Sequence, residues 1–427
     1  MGEAVETLTS PLQIRDFRLY WIARFSAVLA TMGMVVIIGY QVYDVARVDY
    51  GMTIREASLQ LGLVGLFQFI PILLLTPLAG WVADRFERRL IARLANAIDM
   101  VVALGLGILT ANDAITLPIL FLFAALHGVA RVFVGPAMSA IGPNLVPAAL
   151  LPRAIAMSSI AWQMASVAGP ALGGFLYAAD PAAPYWFAAA TLGVAILALT
   201  PIRRVVPPPM AQDVHPVRQM VDGLHYVRDH RFLLGALTLD LFAVLLGGAT
   251  ALLPVYARDI LNVGPEGLGQ LRAAPAVGAA IVALWFAFRP LQNNVGLKML
   301  GAVVGFGVTT IIFGLSKSMA LSLGALLALG AFDMLSVYVR SSLVQLYTPD
   351  QMRGRVSAVS GLAISSSNEL GEVQSGLAAA LLGPVGAVVF GGIAAIGIAF
   401  GWAYIFPELR RARTFDSPKA ILQEHSA

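Results

Sequence analysis

Seven ionisable side chains interrupt long apolar stretches of this sequence. They are Arg24, Asp99, Arg131, Asp240, Asp333, Glu369 and Glu372. If these stretches cross a membrane, each embedded charge costs at least ~2.5 kcal/mol on insertion scales, so it should face protein or a wet cavity. A carboxyl group beside a cation can form an ion pair or exchange a proton, and two adjacent carboxyl groups can share a proton or hold a cation. Proton binding and ion pairing are therefore the chemistry that these residues suggest.

The overall composition supports a membrane setting. Hydrophobic residues make up 58% and charged residues 12% of the 427 residues, whereas a soluble domain is about half apolar and about a quarter charged. The chain has no cysteine, which excludes thiol catalysis, disulfides and thiolate metal sites. Its net charge of +4 does not indicate nucleic-acid binding, because the distribution of the charge matters more here than its sum. The polar, acid-containing N-terminus lacks the features of a cleaved signal peptide, so the first helix is expected to stay in the mature protein.

The apolar stretches predict twelve transmembrane helices, and hence an all-α membrane protein. They lie at about 17–43, 58–82, 90–110, 116–140, 154–178, 184–202, 232–256, 268–288, 297–316, 320–345, 355–381 and 384–406.

Basic residues predict the orientation of these spans. Most arginines and lysines fall on the side of the two termini, and the opposite side carries only Arg47, Arg55, Arg258, Arg272 and Lys317. The positive-inside rule then places both termini in the cytoplasm.

Repeated residues divide the chain into two related halves. Arg15 to Arg18 and Val42-Tyr43 recur at one offset as Arg228 to Arg231 and Val255-Tyr256, and a second offset relates Pro147 and Arg153 to Pro349 and Arg355. The sequence therefore predicts two pseudo-symmetric six-helix bundles, at 1–204 and 231–427 with a short cytoplasmic tail, joined by a cytoplasmic linker at 205–230. Chance recurrence of small residues and arginine is the alternative.

A charged motif follows the second span. Gly80, Asp84, Arg85, Arg88 and Arg89 resemble the G-x-x-x-D-R-x-x-R-R signature of the major facilitator superfamily. The short connection is expected to need Gly80 for close approach. The resemblance implies a cytoplasmic gate that latches two bundles in the outward-facing state, with Asp84 near Arg355. A plain positive-inside anchor is the alternative for Arg85 and Arg93. The absence of any Asp or Glu between Asp113 and Asp180 puts the full charge relay of the superfamily in question.

The fifth span contains Gly169, Pro170, Gly173 and Gly174, which resemble the G-P-x-x-G-G core found in proton-coupled exporters of the superfamily. Proline bends a helix and small residues let backbones touch, so this segment is a candidate hinge. Ordinary close packing is the alternative. Together with FRLYW at the first span and NELGEVQSG at the eleventh, these motifs resemble the enterobactin-exporter and macrolide-efflux branch.

The resemblance also implies that spans one, four, seven and ten line a central cavity. Asp333 or Asp240 is the predicted protonation site, with Arg131 facing Asp333, because these two residues share the second repeat offset. A fixed structural pair is the alternative. Glu369 and Glu372, three residues apart on one helix face, are a second candidate coupling site. The alternative is that one of them only bonds polar groups of a neighbouring helix. The cavity candidates are Arg24, Tyr40, Gln163 and Tyr338.

These observations predict a secondary transporter and not an enzyme. The preferred interpretation is a monomeric, proton-coupled exporter of a siderophore-like or drug-like small organic molecule in a bacterial inner or plasma membrane. It would work by alternating access and use a proton gradient without a cofactor. His127 is the only histidine inside a span, and one imidazole does not make a metal site. A facilitator or importer, a lipid transporter, a channel and a membrane-embedded enzyme are the alternatives.

Overall fold

A computed structural model describes residues 10–205, 216–289, 291 and 293–414, and these are almost entirely helical. The six helices that precede the linker are α1 (Arg15–Val48), α2 (Ile54–Arg85), α3 (Arg88–Ala111), α4 (Leu117–Ile141), α5 (Leu151–Ala179) and α6 (Ala183–Leu199). The remaining helices are α7 (Pro216–Asp229), α8 (Arg231–Gly247), α9 (Leu253–Val255), α10 (Gly264–Phe288), α11 (Val295–Leu315), α12 (Met319–Leu346), α13 (Asp350–Leu382), α14 (Pro384–Ile405) and α15 (Pro407–Arg411).

Among the described residues, nine helical stretches are long and apolar enough to cross a membrane. They begin at the first residues of α1, α2, α3, α4, α8, α10, α11, α12 and α14. Helix α6 is apolar but has only 17 residues, and α5 and α13, with 29 and 33 residues, are not among the nine. The transmembrane, all-helical class is thus confirmed, while the count of twelve spans stays a prediction.

Local sequence signals explain several helix ends. Thr53 and Glu56 form a capping box before α2, with Thr53 N donating to Glu56 Oε2 at 2.8 Å and Glu56 N donating to Thr53 Oγ1 at 3.3 Å. Gly383 separates α13 from α14 with a φ of +78°, a conformation that favours glycine. Pro384 then opens α14, where its fixed φ suits the first helical position.

Contacts divide the chain into two compact units. Of the described residues, the first unit holds 10–38 and 70–205, and the second holds 39–69 and 216–414. The end of α1 and the start of α2 therefore belong by their contacts to the second unit, although their position in sequence is in the first half. The predicted boundaries at 204 and 231 stay predictions about chain organisation.

The first unit has its core where α1 meets α3, α4, α5 and α6. Phe17, Tyr20, Ala92, Ile141 and Leu199 are buried together there. Helix α1 also approaches α5 closely. A methyl group at Gly169 would lie only 2.6 Å from the carbonyl oxygen of Leu29. Small residues hold these two helices at backbone contact.

The second unit contains a core of its own and a further helix contact through glycine. Leu233, Met299, Leu343 and Val356 are among its buried residues. The start of α2 packs on α13 so tightly that a methyl group at Gly376 would lie 2.6 Å from the α-carbon of Gly62.

Candidate functional site

A cavity of about 180 Å³ lies within the first unit. Four helices contribute to its wall. Polar or aromatic lining residues are Arg24 and Thr31 of α1, Asp99 of α3, Arg131 of α4 and Trp162 of α5. Apolar side chains such as Val28, Met32 and Met138 complete the wall. The cavity therefore offers two guanidinium groups, one carboxyl group and an indole ring to a bound molecule.

Arg24 is held in place by α5. Its Nε donates to the carbonyl oxygen of Ser158 at 3.2 Å, and its Nη1 lies 3.4 Å from the hydroxyl of Tyr20. That hydroxyl also bonds Ser158 Oγ at 2.9 Å. These two bonds use only part of the five N–H donors of the guanidinium group. Arg24 can therefore present a positive charge to the cavity.

Asp99 connects the cavity to a buried histidine. One carboxylate oxygen lies 2.6 Å from His127 Nδ1, and the other accepts from Thr31 Oγ1 at 3.3 Å. His127 is fully buried and Asp99 is 2% exposed. Asp99 thus stands between the cavity and an imidazole that has no access to water.

The four predicted cavity residues separate in the structure. Arg24 lines the cavity, and Gln163 follows Trp162 on α5 without appearing in the wall. Tyr40 is buried in the part of α1 that belongs to the second unit. Tyr338 belongs to α12, where its ring packs on Phe286 at 4.6 Å between centroids.

The two predicted acids of the second unit lie on one small cavity of about 10 Å³, close to the minimum for one water molecule. Asp240 of α8 is ion-paired with Arg340 of α12 and accepts from Ser336 Oγ at 3.1 Å. Asp333 lines the same cavity and makes no hydrogen bond or ion pair with a described residue. Burying a carboxyl group without a cation costs less when it carries a proton. Asp240 is thus neutralised by a cation, whereas Asp333 has no such partner among the described residues, and its role as a protonation site stays a prediction.

The predicted pair between Arg131 and Asp333 stays a prediction. Arg131 belongs to the first unit and Asp333 to the second.

The two glutamates of α13 lie where α2 crosses this helix. Glu369 is 4% exposed. A methyl group at Gly65 would lie 2.7 Å from Cβ of Glu372 and 2.8 Å from the carbonyl oxygen of Glu369. Both glutamates make interactions within the described part of the chain. The absence of a side chain at Gly65 gives the Glu372 side chain its space.

A charged cluster joins the end of α1 to the segment after α8. We call it the α1-end cluster and define it as Tyr43, Asp44, Arg47, Arg258 and Asp259, all of the second unit. Tyr43 Oη donates to Asp259 Oδ2 at 2.5 Å, and Arg47 Nη2 lies 3.4 Å from the other oxygen. Asp44 is ion-paired with Arg258. Arg258 and Asp259 lie in a π-helical turn, Tyr256–Ile260. Such a distortion of a helix is frequent at functional sites.

The gate motif has a different local structure from the expected one. Gly80 lies inside α2, and a methyl group there would meet no described atom within 4 Å, so close approach does not explain this glycine. The side chain of Asp84 lies outside what the structure describes. Arg85 stacks over the Trp81 ring at 4.8 Å. Arg89 donates to the carbonyl oxygens of Thr200 and Ile202, and therefore ties the start of α3 to the end of α6.

The hinge motif lies in the middle of α5, which stays helical from Leu151 to Ala179 around Pro170. Gly169 and Gly173 face α1, where a methyl group at Gly173 would lie 3.2 Å from Ile37 Cγ1, and Gly174 is buried nearby. The structure accounts for these glycines by helix packing, and bending in transport stays a prediction.

Part of the predicted linker folds as helix α7 on the start of α13. Asp222 pairs with Arg355 at 3.1 Å, and Tyr226 Oη donates to the carbonyl oxygen of Tyr347 at 3.0 Å. Partial burial raises the pKa of Tyr226 above its ordinary value, so this hydroxyl keeps its proton near neutral pH. The residue that was expected to meet Asp84, Arg355, thus has an acidic partner on the linker helix.

Known proteins share this architecture. A bacterial homologue of the human lysosomal transporter Spinster has a TM-score of 0.70 at 15% identity, covering 93% of this chain and 99% of that one. A D-xylose-proton symporter has a TM-score of 0.69 at 15% identity, covering 92% and 98%. The chain therefore has the fold of these membrane transporters.

Sequence comparison defines the family more narrowly. The transmembrane secretion effector family, a branch of the major facilitator superfamily, matches residues 6–420, and the chain belongs to it. The enterobactin exporter EntS of Citrobacter koseri is 25% identical over 402 residues, which is 93% of each chain, and EntS of Escherichia coli O1:K1 gives the same values. The predicted superfamily and branch are confirmed.

Sequence reasoning missed two residues of these sites. Arg340 falls inside the predicted tenth span, seven residues after Asp333, and this helical spacing could have placed both on one face of α12. The sequence alone presents His127 as a lone histidine in a span, which indicates no metal site and no partner. Its partner Asp99 is 28 residues away on another helix, and no local pattern joins the two.

Proposed function

We propose that this protein is a proton-coupled secondary transporter that exports a siderophore-like or drug-like organic molecule from a bacterial cell. The observation that carries the proposal is the cavity of the first unit, where Arg24, Arg131 and Trp162 share one wall. A cavity of about 150 Å³ can hold a benzene ring, so about 180 Å³ suits an aromatic group. Guanidinium groups bind acidic oxygens strongly. An aromatic acid or catechol portion of a larger molecule fits this chemistry.

The relatives support the same class of substrate. The proteins that match over 93% of the chain are named enterobactin exporters. At 25% identity the substrate itself belongs to the proposal. Asp333 is the proposed proton carrier of the transport cycle, because it lies on a cavity beside an acid that is already paired with arginine.

Transport by purified protein in proteoliposomes tests the proposal. Enterobactin and a macrolide are supplied outside, a pH gradient is imposed, and accumulation inside is measured with and without an uncoupler. Proton-coupled export is supported if the substrate accumulates inside against its own gradient while protons flow outward, and if the uncoupler abolishes this accumulation. Equilibration without a gradient would identify a facilitator, and accumulation in the direction of proton flow would identify an importer; both contradict the proposal.

Asp333→Asn is the matched test of the proton carrier. The variant should fold, because the amide occupies nearly the same volume, and should lose gradient-driven transport. If Asp333→Asn keeps full pH-driven transport, Asp333 is not the coupling residue, and Glu369 and Glu372 become the next candidates. Transport itself would still stand.

The proposed topology has twelve spans with both termini in the cytoplasm, in which α5, α6 and α13 join the nine apolar helices. The absence of cysteine from the natural chain makes single-cysteine labelling straightforward. Asn112 and Asn144 are a matched pair, because each side chain donates to the carbonyl oxygen four residues earlier at 2.7 Å. A membrane-impermeant maleimide should label Asn112→Cys in intact cells and label Asn144→Cys only after lysis. The reverse pattern would invert the topology.

A further inference from the structure

The Asp99–His127 pair is enclosed on all sides except at the cavity. The imidazole is fully buried, and its second nitrogen, Nε2, is buried without a hydrogen-bond partner in the described structure. The first nitrogen lies 2.6 Å from Asp99 Oδ1. Asp99 in turn lines the cavity that also contains Arg24 and Arg131. The pair is therefore a buried acid and base with one route to exchange, through the cavity.

The charge of this pair depends on one proton. A carboxylate beside a neutral imidazole leaves a net charge of −1 in a buried place, whereas the same pair with one more proton is neutral as a whole. Burial favours the neutral combination, and the two arginines of the cavity favour the negative one. Histidine is the side chain whose ordinary titration falls nearest to physiological pH. The pair can therefore exist in two charge states that differ by one proton.

Few other titratable groups can compete for this role. Arg24 is the charged residue of α1 between 19 and 38, and α5 has none between Arg153 and Tyr177. Helix α6 packs on α3 and carries only Tyr185, in its first turn, and α2 carries none between 70 and 83. The charged or titratable groups to consider in this part of the first unit are thus Asp99, His127, Arg24, Arg131 and Tyr20, whose hydroxyl bonds Arg24.

We infer that Asp99 and His127 form a second proton-binding site, in the first unit, whose occupancy is linked to the charge of the molecule in the cavity. An organic anion over Arg24 and Arg131 offsets their positive charge and favours proton uptake by the pair. An organic cation adds positive charge and favours proton release. By reciprocity, protonation of the pair changes the affinity for such ligands in the same sense. The site rests on the proposed transport function only for its role in the cycle.

Nuclear magnetic resonance of histidine tests the site without transport. The chain has five histidines, and the four outside the spans, His215, His225, His230 and His425, can be replaced by glutamine so that no residue of the site is altered. With ¹⁵N-labelled histidine, His127 should show two protonation states in the course of a pH titration. In Asp99→Asn the same resonances should lose this transition or move it. A single protonation state across the whole range would overturn the inference.

Two aromatic probes of opposite charge test the linkage between the proton site and the cavity. Salicylate is the aromatic anion and tetraphenylphosphonium the cation. Binding is followed by the fluorescence of Trp162, with Trp162→Phe as the control for the signal. Bound salicylate should cause uptake of up to one proton per protein, seen with an indicator dye in weakly buffered solution, and bound tetraphenylphosphonium should cause release.

Both proton signals should disappear in His127→Gln and persist in His230→Gln. If the probes bind and the proton count does not change, or if neither probe binds, the linkage to the cavity is wrong. A transporter that exports its substrate normally would still support the proposed function in that case, so the two proposals can fail separately.

Discussion

The two units place the same residue types at membrane depth in opposite ways. In the first unit, Arg24 and Arg131 lie on a cavity of about 180 Å³. In the second, Arg340 is 5% exposed and is ion-paired with Asp240 beside a space of about 10 Å³. An arginine on an open wall can exchange its partner for a ligand, whereas an arginine in a closed pair cannot do so without exposing a buried acid. The first unit therefore has room for a ligand beside its arginines, whereas the second holds a fixed pair next to Asp333.

The largest difference should appear when both arginines are changed in the same way. Arg340→Met leaves the buried Asp240 without its cation, which costs about 3–5 kcal/mol of unfolding free energy. Arg131→Met removes a charge from a cavity wall and should cost far less, while weakening the binding of acidic ligands. Thermal unfolding of the two purified variants in detergent measures the difference.

A double variant controls for the size of the side chain. Asp240→Leu combined with Arg340→Met replaces the pair with apolar groups and should recover most of the lost stability. If Arg131→Met proves as destabilising as Arg340→Met, the distinction between an open and a closed site fails.

Much of the architecture could be predicted from the sequence because it depends on local properties. Apolar length indicates the spans, and Pro349 and Gly383 mark the two ends of α13. The two motifs that contain Gly80 and Gly169 indicated the superfamily. Each of these signals is contained within a single helix or turn.

The partners of the site residues depend on how helices rotate against one another. Asp99 and His127 are 28 residues apart, and Tyr43 and Asp259 are 216 apart. Only the packing of α3 on α4, or of the end of α1 on the π-helical turn, brings their atoms together. Gly80 is the opposite case, since a glycine expected from its motif to allow close approach has open space around it.

A second pair of variants compares the packing of the two units. Gly376→Ala puts a methyl group 2.6 Å from the backbone of Gly62, and such overpacking costs about 1–3 kcal/mol. Gly135 lines the first-unit cavity, where a methyl group meets no described atom within 4 Å. Gly135→Ala should instead leave stability unchanged or raise it by up to about 1 kcal/mol, because alanine favours a helix over glycine.

The same unfolding measurement checks this pair, and Gly301→Ala, another glycine with open space on the second unit, controls for the general effect of alanine. A stable Gly376→Ala protein would show that α2 and α13 can separate at little cost.

The smallest effect should distinguish two buried tyrosines, of which Tyr43 donates to a carboxylate and Tyr20 bonds mainly a neutral hydroxyl group. Tyr43→Phe removes the 2.5 Å bond to the Asp259 carboxylate, whereas Tyr20→Phe removes a 2.9 Å bond to the neutral hydroxyl of Ser158 and a longer bond of 3.4 Å from Arg24 Nη1. Hydrogen bonds to charged groups contribute about 1.5–3 kcal/mol and neutral ones about 0.5–1.5 kcal/mol. Since Arg47 still faces Asp259 at 3.4 Å, the loss for Tyr43→Phe should lie near the lower value of its range.

A double-mutant cycle with Asp259→Asn isolates the bond from the loss of the hydroxyl itself. A coupling energy near zero between Tyr43 and Asp259 would mean that the α1-end cluster adds little to the second unit. A coupling larger than that between Tyr20 and Ser158 would mean that charge, more than packing, holds the end of α1 against the π-helical turn. In that case substitutions in the cluster should alter transport rates before they alter the fold, because a contact held by a few charges can open while the apolar cores stay intact.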